Sequence, residues 1–201
     1  MKATNHKLFG LILAGGYSTR MGRDKALLSF HGKPQVEYVG GLLQQFCKKV
    51  FLSKRADQPP YKAFDSIDDA PEFSGQGPLS GILSAMKEYR GHDWLVMACD
   101  LPLAGEEAVR TLLAGRDRSK TATAFISTHD QLPEPLCAVW EGHAYAAILK
   151  SFNEGIHCPR KILLKSDAAL VSQTNPHWLD NINTLKEYEA LIKTAPFVFS
   201  R

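Results

Sequence analysis

A glycine-rich, basic segment, Ala14–Lys25, directly follows the first apolar run of the chain. Two adjacent glycines open it, and Arg20, Arg23 and Lys25 add positive charge. Glycines let a backbone approach a bound group and turn several N–H groups toward it. Such a segment after a strand suits a polyphosphate. Because it matches neither a Walker A loop nor a GxGxxG fingerprint, a glycine turn carrying solvated charges explains it equally well at this point.

A carboxylate follows the most apolar run of the chain. Asp100 comes directly after Trp94–Cys99, and Pro102 is placed to fix the turn that presents it. An aspartate at the carboxyl end of a buried strand is a natural ligand for Mg²⁺, which prefers oxygen donors. The alternative is that Asp100 caps the helix predicted to begin near Gly105. The position at a strand end favours the metal ligand.

The segment Gly75–Gly81 opens a predicted helix, with Pro78 near its first position. Free N–H groups at a helix N-terminus can bind an anion or hydrogen-bond to a base, although a plain helix start has the same pattern. Three aspartates precede the segment, at Asp65, Asp68 and Asp69. Since most loop aspartates are solvated, we expect one of the three at most to contact a ligand.

Two asparagines stand near the end of the chain, before its last predicted helix. Thr184 and Glu187 have the spacing of a capping box, which accounts for the threonine. Asn181 and Asn183 then alternate on an extended segment. This arrangement leaves their amides available to a ligand or to a metal-bound water.

Apolar runs and segments of helical periodicity alternate along the chain, which predicts βαβ units. The predicted strands are Lys7–Leu13, Val50–Ser53, Trp94–Cys99, Thr121–Ser127, Leu136–Trp140 and Ala168–Ser172. The predicted helices are Pro34–Cys47, Pro78–Tyr89, Gly105–Ala114, His143–Phe152 and Thr184–Thr194, and Lys54–Gly77 is predicted to be a loop. The fold class is α/β: a three-layer αβα sandwich with a mainly parallel, twisted, Rossmann-like sheet. Sites in such folds lie at the carboxyl ends of the strands.

Composition limits the classes of function. The 201 residues suit one domain, and 44% hydrophobic with 22% charged residues is typical of a globular protein. A net charge of only +3 does not argue for nucleic-acid binding, so any positive charge that matters must be local, and no apolar run is long enough to span a membrane. The four cysteines are dispersed, which predicts neither a zinc site nor disulfides and favours the cytoplasm. The run Leu8–Ala14 is read as a buried strand rather than a signal peptide.

Taken in order, these segments resemble the nucleotidyltransferases with a nucleoside-diphosphate-sugar transferase fold, and in particular the molybdenum cofactor guanylyltransferases. The resemblance covers about Leu8 to Leu191. It is carried by Leu13-Ala14-Gly15-Gly16, Arg20-Met21-Gly22, Asp24-Lys25, Gly77-Pro78-Leu79-Ser80-Gly81, Cys99-Asp100-Leu101-Pro102, Pro135-Leu136-Cys137-Ala138-Val139 and Asn181-Ile182-Asn183-Thr184. The first motif alone would indicate only the superfamily, whereas the ordered set is much more specific.

The resemblance implies transfer of GMP from GTP to molybdopterin that carries molybdenum, with release of pyrophosphate and with Mg²⁺ held by Asp100. It implies a transient partner that carries molybdopterin or inserts the metal. The nucleotide-binding residues it implies are Leu13, Ala14, Gly15, Gly16, Lys25, Asp69, Gly77, Pro78, Leu79 and Asp100, with Asn181 and Asn183 on the pterin side. Lys25 would contact the phosphates. Arg20, by its charge and loop position, would stabilise the leaving pyrophosphate, a role that Arg23 could share.

The chain departs from the family pattern at three places. Ser53 stands where relatives often have asparagine, Asp68 competes with Asp69 for the nucleotide contact, and the tail 194–201 beyond the core 7–193 has no counterpart. By resemblance, Gly15 favours guanine over cytosine. Two alternatives stay open: another nucleotidyltransferase, acting with CTP or on a sugar phosphate, and a non-catalytic GTP-binding relative.

Overall fold

The computed structural model of the chain describes residues 8–14, 28–29, 31–58, 61–182, 186–187 and 189–190. The strands are β1 (Leu8–Leu13), β2 (Val50–Lys54), β3 (Asp65–Asp68), β4 (Asp93–Ala98), β5 (Ala122–Ile126), β6 (Pro133–Trp140) and β7 (Ala169–Ser172). The helices are α1 (Gln35–Gln44), α2 (Pro78–Glu88), α3 (Glu106–Ala114), α4 (Tyr145–Asn153) and α5 (Pro159–Lys165), with 3₁₀ turns at Pro71–Phe73 and Gly142–Ala144.

The strands form one sheet in the order β3-β2-β1-β4-β6-β5-β7. All of these strands run in one direction except β6, which is antiparallel to both of its neighbours. The prediction of a mainly parallel sheet is therefore confirmed. The direction in which strands are added reverses at β1. Strands β2 and β3 extend the sheet on one side of β1, whereas β4 pairs with β1 on its other side. Ligands of open α/β sheets bind at such a reversal, outside the carboxyl ends of the strands.

Alternating side chains of the central strands supply two separate cores. From β1, Leu8 and Ile12 pack with α1 and α3, while Phe9 and Leu11 pack with α2, α4 and α5. Trp94, in β4, belongs to the second core and is fully buried. Strands buried on both faces read as continuous apolar runs, which is how β1 and β4 were recognised. The three-layer αβα architecture is thus confirmed.

Two elements were missed by the sequence prediction. The stretch Lys54–Gly77 was expected to be a loop, but it contains β3, which pairs in parallel with β2. Strand β3 is the outermost strand on its side of the sheet. Ile67 is its only apolar residue, so no apolar run marks it. Helix α5 was missed because its seven residues are too short for a visible periodicity. It covers β6 with Ile162 and Leu163.

Several sequence predictions fall outside the described residues. They include most of the glycine-rich basic segment, the tail 194–201 and much of the helix expected at Thr184–Thr194, of which residues 186, 187, 189 and 190 have helical backbone. Among the helices that are described, none is long and apolar enough to cross a membrane. All four cysteines are free thiols, as their dispersed positions predicted.

Helix α2 comes unusually close to the carboxyl ends of β1 and β2. A Cβ placed on Gly81 would overlap the Ser53 hydroxyl and would lie 3.2 Å from Leu13 Cδ2. Ser53 is itself buried, 3% exposed, directly beneath the helix. The glycine therefore sets how closely α2 approaches the site edge of the sheet.

Gly81→Ala should lower the free energy of unfolding by about 1–3 kcal/mol, because the packed strands give the new methyl group no room. Gly41→Ala is the matched control, since Gly41 also lies inside a helix and has open space at its Cβ position. That change should raise stability by about 0.5–1 kcal/mol. Urea unfolding of both variants tests this, and equal stability of the two would contradict the close approach of α2.

Candidate active site

Hydrogen bonds between strand ends define the edge of the sheet at the reversal point. Ala14 N–H donates to the Ser53 carbonyl at 3.3 Å, and Cys99 N–H donates to the Leu13 carbonyl at 3.3 Å. The residues that leave β2, β1 and β4 are thereby held side by side. Leu13 and Ala14, two predicted nucleotide contacts, lie at the centre of this edge and are half-buried.

Asp100 and Asn181 meet at the same edge although they are far apart in sequence. Ile182 N–H donates to the Asp100 carbonyl at 2.9 Å, which fixes the chain beside Asn181 against the end of β4. Asp100 is half-buried and Asn181 is exposed. The structure thus brings together the predicted metal ligand and one of the two asparagines.

Asp68 and Asp69, the two candidate aspartates at the end of β3, have different surroundings. Asp68 pairs with Lys54 at 2.7 Å, and its side chain is 56% exposed. Asp69 lies one residue beyond the strand, and its N–H donates to the Lys54 carbonyl at 3.1 Å. Burial raises the pKa of Asp69 to about 6, against the lowering effect of Arg55, and the nearby Asp68 charge adds to the rise. A carboxyl group perturbed in this way at a sheet edge is typical of functional sites.

The turn before α2 has a backbone that requires glycine. Gly77 has φ +63° and ψ −142°, a region that side chains make inaccessible. Ser80, in the first turn of α2, stabilises this turn by two hydrogen bonds. Its Oγ accepts from Gln76 N–H at 3.0 Å and donates to the Phe73 carbonyl at 2.5 Å. Pro78 occupies the first helical turn and is exposed, whereas Leu79 is buried in the core.

A second serine of α2 fixes the other end of the same loop. Ser84 Oγ accepts from Ala70 N–H at 2.8 Å and donates to the Ser80 carbonyl at 2.7 Å. Asp69 is therefore tied through its neighbour to the helix that carries Gly77. This role of Ser80 and Ser84 was not predicted from the sequence. Two serines four residues apart on an otherwise apolar helix face are the signal that could have shown it.

A cavity of about 610 Å³ opens on the other half of the edge, beside β5 and β6. Its lining includes Asn181, Ser127, Asp180 and the first acidic residue of β6, Glu134. Because β6 is antiparallel, it begins at the edge where the other strands end. Glu134 is 6% exposed. Burial raises its pKa, and the Asp100 charge adds to the rise, while the N–H of Leu136 and Arg160 oppose it.

Glu134 was not predicted from the sequence, because the strand was expected to begin at Leu136. The strand begins at Pro133, so its first acidic residue stands at the site edge. Arg160 donates to Glu134 Oε2 at 3.0 Å and to Asp130 Oδ2 at 2.8 Å. A charged residue between two prolines just before an apolar strand is the available signal.

The donor set at Asp100 fits a magnesium ion shared with a substrate. No cluster of three or more histidine, cysteine or acidic side chains able to hold a metal occurs among the described residues. Mg²⁺ commonly takes one or two protein carboxylates and completes its shell with phosphate oxygens and water. Asp100, at the end of β4 and partly accessible, suits that mode of binding. Gly15, Gly16, Arg20, Lys25 and Asn183 lie outside the described residues.

Residues 10–169 match the family described as the MobA-like NTP transferase domain. The match runs from within β1 to the start of β7 and takes in the edge described above except Asp180, Asn181 and Ile182. The chain belongs to this family.

Similar proteins agree with the family. A molybdenum cofactor biosynthesis bifunctional protein of Synechocystis is 38% identical over 184 residues, 90% of this chain, and this chain spans 52% of that protein's length. A probable molybdenum cofactor guanylyltransferase of Bacillus cereus is 29% identical, with 90% of this chain and 94% of the relative covered. The crystal structure of molybdopterin-guanine dinucleotide biosynthesis protein A from Archaeoglobus fulgidus has a TM-score of 0.74 and 20% identity, covering 94% and 98% of the two chains. This last likeness shows the shared fold.

Asp69→Asn should stabilise this NTP transferase domain above pH 6. Because the folded-state pKa of about 6 exceeds the ordinary value of 3.8, folding favours the protonated form, and stability falls as pH rises from about 4 to 6. Asparagine cannot ionise, so the variant should avoid this loss of stability. We expect a gain of about 1 kcal/mol in the free energy of unfolding, after allowance for the solvent-exposed half of the side chain.

Urea unfolding at pH 8 and pH 4.5 measures the effect, and the difference between Asp69→Asn and the wild type should shrink at the lower pH. Asp68→Asn is the control: it removes the ion-pair partner of buried Lys54 and should give no gain in stability. An Asp69→Asn protein no more stable than the wild type at pH 8 would show that the carboxyl group is not desolvated.

Proposed function

We propose that the protein is a molybdenum cofactor guanylyltransferase, which transfers GMP from GTP to the phosphate of molybdopterin carrying molybdenum. The convergence of Asp69, the Gly77 turn, Asp100 and Asn181 on one sheet edge is the observation that supports this most. Membership of the NTP transferase family and relatives with guanylyltransferase names support the same reaction. The proposal includes a location in the cytoplasm and delivery of molybdopterin by a transient protein partner.

In this proposal the nucleotide occupies the half of the edge formed by β1, β2 and β3. Asp69 would accept hydrogen bonds from donor groups of the nucleotide. These bonds would favour the ionised form of its carboxyl group. Leu13, Ala14 and the Gly77-Pro78-Leu79 turn would contact the base and ribose. Gly15 and Gly16 would direct backbone N–H groups at the phosphates, as glycine-rich loops after a first strand commonly do.

The reaction joins two anions, so positioning and neutralisation of charge would supply most of the rate. A phosphate oxygen of molybdopterin attacks the α-phosphorus of GTP, a new P–O bond forms, and the bond to the β-phosphate oxygen breaks to release pyrophosphate. The attacking phosphate is already anionic and needs no strong base. Lys25 and Arg20 would hold the leaving pyrophosphate, and Asp100 would hold Mg²⁺, which neutralises phosphate oxygens when bound.

The nucleotide and the acceptor can be identified in one assay. Pyrophosphate release is measured with Mg²⁺ and each of GTP, CTP, ATP and UTP, with and without molybdopterin carrying molybdenum. We expect release with GTP and the pterin together. Release with CTP instead would overturn the base assignment, and GTP binding without release for any acceptor would favour a non-catalytic relative.

Lys25→Ala and Asp100→Ala should each lower the rate of transfer by about 10²–10³, because each removes a charged contact from a preorganised site. Arg118→Ala removes one positive charge, as Lys25→Ala does, from an exposed position after α3 and serves as the control for that variant. Circular dichroism establishes whether the variants fold. Full activity in either site variant, or loss of activity that accompanies unfolding, would remove that residue from the proposed machinery.

A further inference from the structure

The cavity beside β5 and β6 is built around one buried carboxylate. Glu134 lines it, with its side chain 9% exposed. Glu134 Oε1 accepts from Leu136 N–H at 2.9 Å, and Oε2 accepts from Arg160 Nη2 at 3.0 Å. A carboxylate offers about four acceptor positions on its two oxygens. These two bonds leave further acceptor capacity on a group that is fixed in place and borders open space.

The charge of the cavity argues against a phosphate as its occupant. Arg160 is held between Glu134 and Asp130, at 3.0 and 2.8 Å, so two carboxylates balance its positive charge. Asp180 and Glu187 also line the space. His129 lines the space too and lies 2.8 Å from Asp180, so among the described lining residues four acidic groups stand against one arginine and one histidine. A neutral ligand portion rich in hydrogen-bond donors suits this lining better than an anion does.

Molybdopterin, if the proposed function is correct, has such a portion. One edge of its 2-amino-4-oxo ring carries an amino group next to a ring N–H, which is a pair of donors matched to one carboxylate. The volume of about 610 Å³ lies within the range usual for small-molecule sites. Asp100 lies near Glu134, so a ring bound here would place the rest of the molecule toward the metal ligand.

We propose that Glu134 is the residue that selects the pterin ring, by accepting hydrogen bonds from its amino group and adjacent N–H. Arg160 is a positioning residue, which holds the carboxylate toward the cavity. Guanine has the same donor edge, but the nucleotide is assigned to the other half of the site, around Asp69 and Gly77. The proposal rests on the proposed function for the identity of the acceptor, and it can fail separately.

The test compares two fluorescent probes, 6-hydroxymethylpterin and 6-hydroxymethyllumazine, which differ in the 2-amino group. Wild-type protein should bind the pterin at least ~10-fold more tightly, as expected for a hydrogen bond to a buried charged group. Glu134→Gln should reduce pterin affinity by about 10–100-fold and bring the ratio of the two affinities close to one. GTP affinity, titrated in parallel, should not change.

Asp130→Asn is the matched control, because it removes an equal charge beside Arg160 from a more exposed position, 40% against 9%. It should keep the preference for pterin over lumazine. An unchanged preference in Glu134→Gln, or a wild-type protein without preference, would overturn the proposal. Loss of GTP affinity in Glu134→Gln would also overturn it, since it would place guanine in this cavity. Failure of pyrophosphate release in the wild type would instead count against the proposed function.

Discussion

The parallel pairing of β1 with both β2 and β4 is the constraint on which the rest of the site depends. It brings Ala14, Ser53 and Cys99 to one line, through bonds of 3.3 Å at Ala14 and Cys99. Two further groups are positioned relative to that line: Asp69 by its N–H bond to the Lys54 carbonyl, and Asn181 by the bond between its neighbour Ile182 and Asp100. The loops are therefore positioned by backbone bonds to buried strands.

The antiparallel strand β6 divides the edge into two different environments. On one side, strand ends and the start of α2 present backbone N–H groups and a half-buried Asp69. On the other, β6 begins at the edge and brings a buried glutamate, Glu134, with Arg160 to balance it. An anionic nucleotide suits the first environment and a neutral donor-rich ring suits the second. In the proposed function, the fold would separate the two ligands and let their reacting phosphates meet near Asp100.

The sequence predicted the αβα architecture and most strands because buried parallel strands are continuous apolar runs. It missed β3, whose edge position needs only one buried side chain, Ile67, and α5, which is too short to show a period. Asp100 was predicted as a site residue because it follows such a run. Glu134 could not be found in this way, since only the reversed direction of β6 brings the start of that strand to the site.

A crystal structure with Mg²⁺ and a GTP analogue carrying a methylene bridge between the α- and β-phosphates would test the central assignment most directly. Our account predicts the guanine between Asp69 and the Gly77 turn, with the α-phosphate near Asp100 and the cavity at Glu134 without nucleotide. Guanine bound against Glu134, with the phosphates directed away from Asp100, would contradict the division of the edge into nucleotide and acceptor halves.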